Sequence, residues 1–238
     1  MALWNQIMKS QRFMVNEETE EDGDIEELVG ELLKAGKSSE WTPSTLTGYG
    51  PETRTILIAG EINSALACAV CSQLLVLDML DPTASIRVII NSQGGDIVHA
   101  LAIFDVMRAV QAPIITIVQG AAYSGAFMLV QGGDIRLAFP NSRFFYHEPI
   151  QCGPVTSRKE SEAIFKGYEW SVETMNSIIR DRADIPKKRW KEVFDGHTAL
   201  FFTAKEALDL GLVDELMEYQ DKPSITLEDL RNTDSEEE

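Results

Sequence analysis

The chain has 238 residues, 44% of them hydrophobic, 8% aromatic and 25% charged, enough for one or at most two domains with a full apolar core. Its formal charge of −17 sits at the ends: residues 17–31 carry nine acids and no base, residues 214–238 carry ten acids and two bases, and the remainder balances at 19 of each. No surplus of Lys and Arg is left to neutralise phosphates, which argues against nucleic-acid binding through a basic surface. Three cysteines make no disulfide framework and point to a reducing, cytoplasmic setting.

The N-terminal stretch MALWNQIMKSQRFMVNEETEE has a short apolar start without a signal-peptide core, so no secretion signal is expected. Residues 25–35 (IEELVGELLKA) put Ile25, Leu28, Val29, Leu32 and Leu33 on one helical face, either an ordinary packing helix or a contact for a partner subunit. A loop rich in Ser, Thr, Gly and Pro follows, ending an acidic arm of residues 1–50 and opening a main domain over 51–217.

Within that domain RTILIAG reads as a strand ending at Gly60, followed by a helix over Asn63–Met79. Cys68 and Cys71 are three apart in this helix and read as apolar helix positions, because no second Cys/His pair lies nearby to complete a zinc or redox site. SIRVIINS is a second strand, broken by Gln93, Gly94 and Gly95 before a helix over Asp96–Val110. PIITIVQG is a third, with a small-residue turn and a helix starting near Ser124. The apolar region Pro113–Val130 is interrupted by Gln119, Gly120, Tyr123, Ser124 and Gly125, so it predicts strand, turn and helix rather than a membrane span.

RLAFPNSRFFYHEP predicts two short strands around a Pro-Asn turn, and residues 156–183 a long helix of mixed charge. In FFTAKEALDLGLVDEL, Thr203 is the expected N-cap, Glu206 its capping-box partner and Gly211 the stop. Residues 218–238 are expected to form a solvated acidic tail. Strands alternating with helices predict an α/β domain.

Three elements bear on chemistry. GAAYSGAF would bring Ser124 out of a sharp turn at a helix start, as a nucleophile requires. INSQGG pairs Gly94 and Gly95, whose freedom permits close approach of a substrate backbone and an oxyanion hole built from the N–H groups of Gly95 and Gly125. Of three histidines, His147 ends a β-like run that would fix its position, while His99 lies early in a helix and His197 in a loop. Each element also has a plain structural reading: a common small-residue turn, a turn capped by Asp96, a structural histidine.

INSQGG, GAAYSGAF, FPNSRFFYHEP and FFTAKEALDLGLVDEL, in this order, resemble the ClpP family of ATP-dependent serine peptidases over roughly residues 53–217. The resemblance implies a ClpP/crotonase-like spiral of strand-strand-helix units, with the long 156–183 helix as a protruding handle. It implies rings, two stacked heptamers forming a chamber, fed with unfolded polypeptides by an AAA+ Clp unfoldase. Ser124 falls on the family's nucleophile, His147 on its base, Gly95 and Gly125 on its oxyanion donors. Gly94 and Ile150 fall where substrate backbone is bound. No metal or organic cofactor is implied, and the chain has no G-x-x-x-x-G-K-[ST] loop of its own, so ATP would belong to a partner.

There are departures. Gln93 replaces the usual Pro before the glycines. The segment after Ser124 is one residue short, and aligning Gly-Ala-Phe instead would put Tyr123 at the nucleophile position. The triad aspartate falls on Ala199. Either Asp195 orients His147, or a Ser–His dyad works with help from Thr198, or the subunit is inactive; Glu148, beside the histidine on a strand, would point away. The leading expectation is a cytoplasmic serine endopeptidase. A catalytically silent ring subunit is the alternative, and a crotonase-type CoA enzyme ranks last.

Overall fold

The computed structural model describes residues 53–147, 157–195 and 199–219. Strand β1 (Thr55–Ile62) leads to helix α1 (Ser64–Leu80), β2 (Ile86–Gly95) to α2 (Ile97–Ala109), and β3 (Ile114–Tyr123) to the short α3 (Gly125–Val130). Then come β4 (Ile135–Ala138), β5 (Arg143–His147), the long α4 (Arg158–Arg182), α5 (Lys187–Val193), β6 (Ala199–Thr203), α6 (Ala204–Asp209) and β7 (Glu215–Leu216). This is an α/β fold of alternating strand and helix units, as the residue pattern predicts.

The strands form one sheet in the order β1-β2-β3-β4-β7, with β5 on the far half of β3 and β6 beyond it. All pairings are parallel except β5 with β6. Parallel strands covered on both faces read as continuous apolar runs, and all five residues Ile114–Val118 are buried. On one face Ile114 and Val118 join Val70, Leu74 and Leu77 of α1 and Ile103, Phe104 and Met107 of α2 in the main core. On the other, Ile115 and Ile117 meet Leu137 and Met217 in a smaller cluster. Each such side chain contributes about 1.5–3 kcal/mol by leaving water.

The first three strands run further than their apolar stretches suggest. A register shift lies between Ala59 and Glu61 in β1, where Gly60 takes φ 72°, and another between Ile90 and Ser92 in β2. Beyond these irregularities pairing resumes: Glu61 opposite Gly94, Ile62 opposite Gly95, and Ser92 opposite Ala122. The glycines therefore bend the strands without ending them. β3 divides its partners at the same level, pairing with β4 through Ile115–Val118 and with β5 through Ala121–Tyr123.

Several polar anchors hold the elements in place. Asn63 caps α1 through Leu66 N–H, Asp96 caps α2 through Val98 and His99 N–H, and Ser157 and Thr203 form full capping boxes with Glu160 and Glu206. The buried Arg54 guanidinium donates to the carbonyls of Leu77, Asp81, Ala84 and Ser85, tying the end of α1 and the following loop to β1. Arg182, at the end of α4, donates to Gln131 O at 2.9 Å and Gly133 O at 2.7 Å. These bonds moor α4 where Met175 and Ile179 are buried, while its residues 158–163 are exposed.

Candidate active site

The bent ends of β1, β2 and β3 converge on Ser124. Gly120 turns the chain at φ 101°, and Asn91 Oδ1 accepts the Ala121 N–H at 3.2 Å. Ser124 follows with φ 55° and ψ −123°, a backbone state that non-glycine residues rarely occupy. Its N–H donates to Phe145 O at 2.7 Å, and its carbonyl accepts Phe127 N–H at 2.9 Å as α3 begins. The Ser124 side chain makes no capping bond to that helix. A serine held in this state by strand on one side and helix on the other has its hydroxyl committed to neither.

Gly94 packs directly on this turn. A Cβ at position 94 would lie 2.5 Å from Tyr123 O, 2.7 Å from Ser124 Cβ and 3.0 Å from Gly125 N, and the residue has φ 90°. Only glycine fits there. At Gly95 a Cβ would lie 2.2 Å from Ile62 O, so this position too is closed to side chains. The buried Ser92 organises the pair: its hydroxyl donates to Gly60 O at 2.6 Å and accepts Gly94 N–H at 3.0 Å. Gly94 N–H is thus engaged. Gly125 N–H, at the first position of α3, has no partner one turn back along the helix.

Ser124, His147, Gly94 and Gly95 line one open cleft of about 980 Å³, together with Glu61, Gln93, Asp96, Ile97, Val98, Ile164, Gly167, Trp170, Ser171 and Met175. His147 ends β5, its ring centroid 5.2 Å from that of Phe145. The Tyr123 ring turns instead to Phe145 and Phe201, at 5.8 Å and 6.0 Å in edge-to-face contacts, and does not line the cleft.

The antiparallel β5–β6 ladder sets Ala199 directly opposite His147, as it sets Phe201 opposite Phe145. Residues facing each other in this way have Cβ atoms about 4.5–5.5 Å apart, so position 199 is where a carboxylate would reach the imidazole. Alanine supplies none. Asp195 is exposed just beyond α5, its N–H donating to Trp190 O at 3.4 Å, and it does not line the cleft. Ile150, Glu148, His197 and Thr198 lie outside the described residues.

Glu61 and Trp170 join the cleft without a sequence signal. Glu61 falls after the glycine at which β1 is expected to end, and Trp170 reads only as one apolar position of a long helix. Among the described residues no group of three or more His, Cys, Asp or Glu is gathered as a metal site, and no helix is long and apolar enough to cross a membrane.

The strand-borne serine, the histidine at a neighbouring strand end and the closely packed glycines recur in the order of the four motifs. A family model described as Clp protease matches residues 44–220, most of the chain and all of these elements, and the chain belongs to the Clp protease family.

Proposed function

We propose that this chain is the proteolytic subunit of a Clp-type complex, a serine endopeptidase that hydrolyses peptide bonds of unfolded polypeptides inside a ring-shaped chamber. The observation that carries the reading is the Ser124 backbone, at φ 55° and ψ −123°, in the same cleft as His147. Strain of about 1–3 kcal/mol at a serine persists when the surrounding structure enforces it, and here Gly94, Gly120 and the Ser124 N–H bond to Phe145 enforce it.

In this reading the Ser124 Oγ attacks the scissile carbonyl while His147 takes its proton. The N–H groups of Gly95 and Gly125 hold the oxyanion, and His147 returns the proton to the leaving amine. Water then repeats the sequence on the acyl-enzyme with His147 as base. Gly94 and Ile150 bind substrate backbone. Asp195, or Thr198 in a weaker dyad, steadies the imidazole in place of the carboxylate that position 199 lacks. Two stacked heptameric rings, joined through α4, would enclose the cleft in the cytoplasm, and an AAA+ Clp unfoldase would supply extended chains. The acidic arm (1–50) and tail (218–238) flank this catalytic domain and keep it soluble.

One observation favours a second reading, a catalytically silent ring subunit: Ala199 stands opposite His147. A fluorophosphonate, which reacts with activated serines, separates the two on the assembled protein. Labelling that disappears in Ser124→Ala is the expected result. No labelling of the assembled wild-type chain would refute the peptidase reading and leave the silent subunit.

A further inference from the structure

The cleft has a charge of its own. Among the described residues its lining holds two carboxylates, Glu61 and Asp96, and no lysine or arginine. Asp96 is occupied, accepting the N–H groups of Val98 at 2.8 Å and His99 at 3.2 Å. The exposed Glu61 carboxylate makes no hydrogen bond or ion pair with any described residue.

Its position follows from the bent strands. Glu61 is the register partner of Gly94, and Gly94 packs against Ser124 Cβ. Neighbouring strands lie about 4.8 Å apart, so the Glu61 backbone stands one strand spacing from the glycine that touches the nucleophile, and Glu61 lines the same cleft as Ser124. Ile97 and Val98 supply apolar wall to the same cleft, and the exposed Trp170 lines it from α4. An unpaired carboxylate, an aliphatic wall and an indole together suit a cation on a long apolar stem.

We propose that Glu61 selects peptides carrying a Lys or Arg side chain next to the bond held at Ser124. The aliphatic stem lies along Ile97 and Val98, and the cationic head reaches Glu61. The carboxylate of Asp96 strengthens the same field, and acidic side chains are repelled. This rests on the peptidase reading for its purpose, although the recognition itself needs only the cleft. A peptide's free α-amino group offers the same positive charge, so the test uses N-acetylated peptides, in which a side chain is the sole cation.

The experiment measures binding and hydrolysis separately on the full assembled chain. Binding of N-acetylated, C-amidated peptides bearing Lys, Arg, Leu or Glu at one position is followed by calorimetry on Ser124→Ala, which cannot turn over. The basic peptides are expected to bind about tenfold more tightly than the acidic one. In Ser124→Ala/Glu61→Lys the order reverses, and in Ser124→Ala/Glu61→Gln it flattens. Equal binding of basic and acidic peptides, no binding of any, or an order unchanged by Glu61→Lys would overturn the proposal. Hydrolysis of the same peptides by wild type is read alongside. A binding preference without hydrolysis refutes the peptidase reading and keeps the Glu61 site, whereas hydrolysis without preference does the reverse.

Discussion

Placing a carboxylate opposite His147 should accelerate this protein, and Ala199→Asp does so with one substitution. The two positions are direct partners in the β5–β6 ladder, with side chains on the same face. At about 4 Å and an effective dielectric near 20, a carboxylate attracts an imidazolium by about 4 kcal/mol. Position 199 is exposed, so screening and the ordering of a new side chain remove a good part of this. Taking about half leaves about 2 kcal/mol at the transition state, about a thirtyfold gain in kcat/KM. That is well below the ten-thousandfold effect of an orienting aspartate in other serine proteases. The assay is hydrolysis of a fluorogenic peptide together with the rate of fluorophosphonate labelling, in the wild-type and Asp195→Ala backgrounds. Ala199→Asn supplies the shape without the charge. If Ala199→Asp gives no gain in either background while the protein assembles normally, or if Ala199→Asn gains as much, the reasoning is wrong.

Three further outcomes follow from geometry. Ser124→Gly and Ser124→Ala should both abolish labelling, but the glycine variant should be about 1 kcal/mol more stable in urea unfolding, because φ 55° costs glycine little. Arg54→Ala should lower unfolding stability by about 3 kcal/mol by freeing four carbonyls, and Arg54→Lys should recover only part of this because an ammonium lacks the guanidinium's fork. Burial alone would raise the Asp134 carboxyl, but the Ile114 N–H and the Arg108 guanidinium outweigh it and hold the group below its ordinary value. Its stabilising effect is therefore complete above the usual carboxylate range, near pH 4, and is lost as pH falls through the depressed value. Melting temperatures from circular dichroism should fall over that acidic window in the wild-type protein and fall less steeply in Asp134→Asn.

Much of the fold was legible because local chemistry and tertiary structure agree. The caps at Asp96 and Thr203 stand where the sequence puts them, and Gly211 takes φ 72° as a helix stop should. The apolar runs of β1, β2 and β3 announced three strands alternating with helices. Their ends were not legible, since glycine is the ordinary sign of a strand ending and here Gly60, Gly94 and Gly95 lie within paired strands. α5 and β6 carried no separate signal, as KKRWKEV is short and the FF of β6 precedes a strong capping box. For the site, Ser124, His147, Gly94 and Gly95 were readable from the motifs, and the structure brings all four to one cleft. That Ala199 takes the place of an orienting carboxylate came from the resemblance alone, because cross-strand register is a property of two segments about fifty residues apart and neither encodes it by itself.

The bends in β1, β2 and β3 divide labour within single strands. Ile56, Ile58, Val88, Ile90, Ile114 and Val118, before the bends, fill the core. Glu61, Gln93, Gly94 and Gly95, beyond them, line the cleft, and β3 runs on to Ser124. Evolution can therefore retune the chemistry of such a chain at Glu61 and Gln93, provided Gly94 and Gly95 stay glycine, while the opening residues of each strand go on specifying the fold. A library randomised at Glu61 and Gln93 alone would sample new specificities in proteins that still fold.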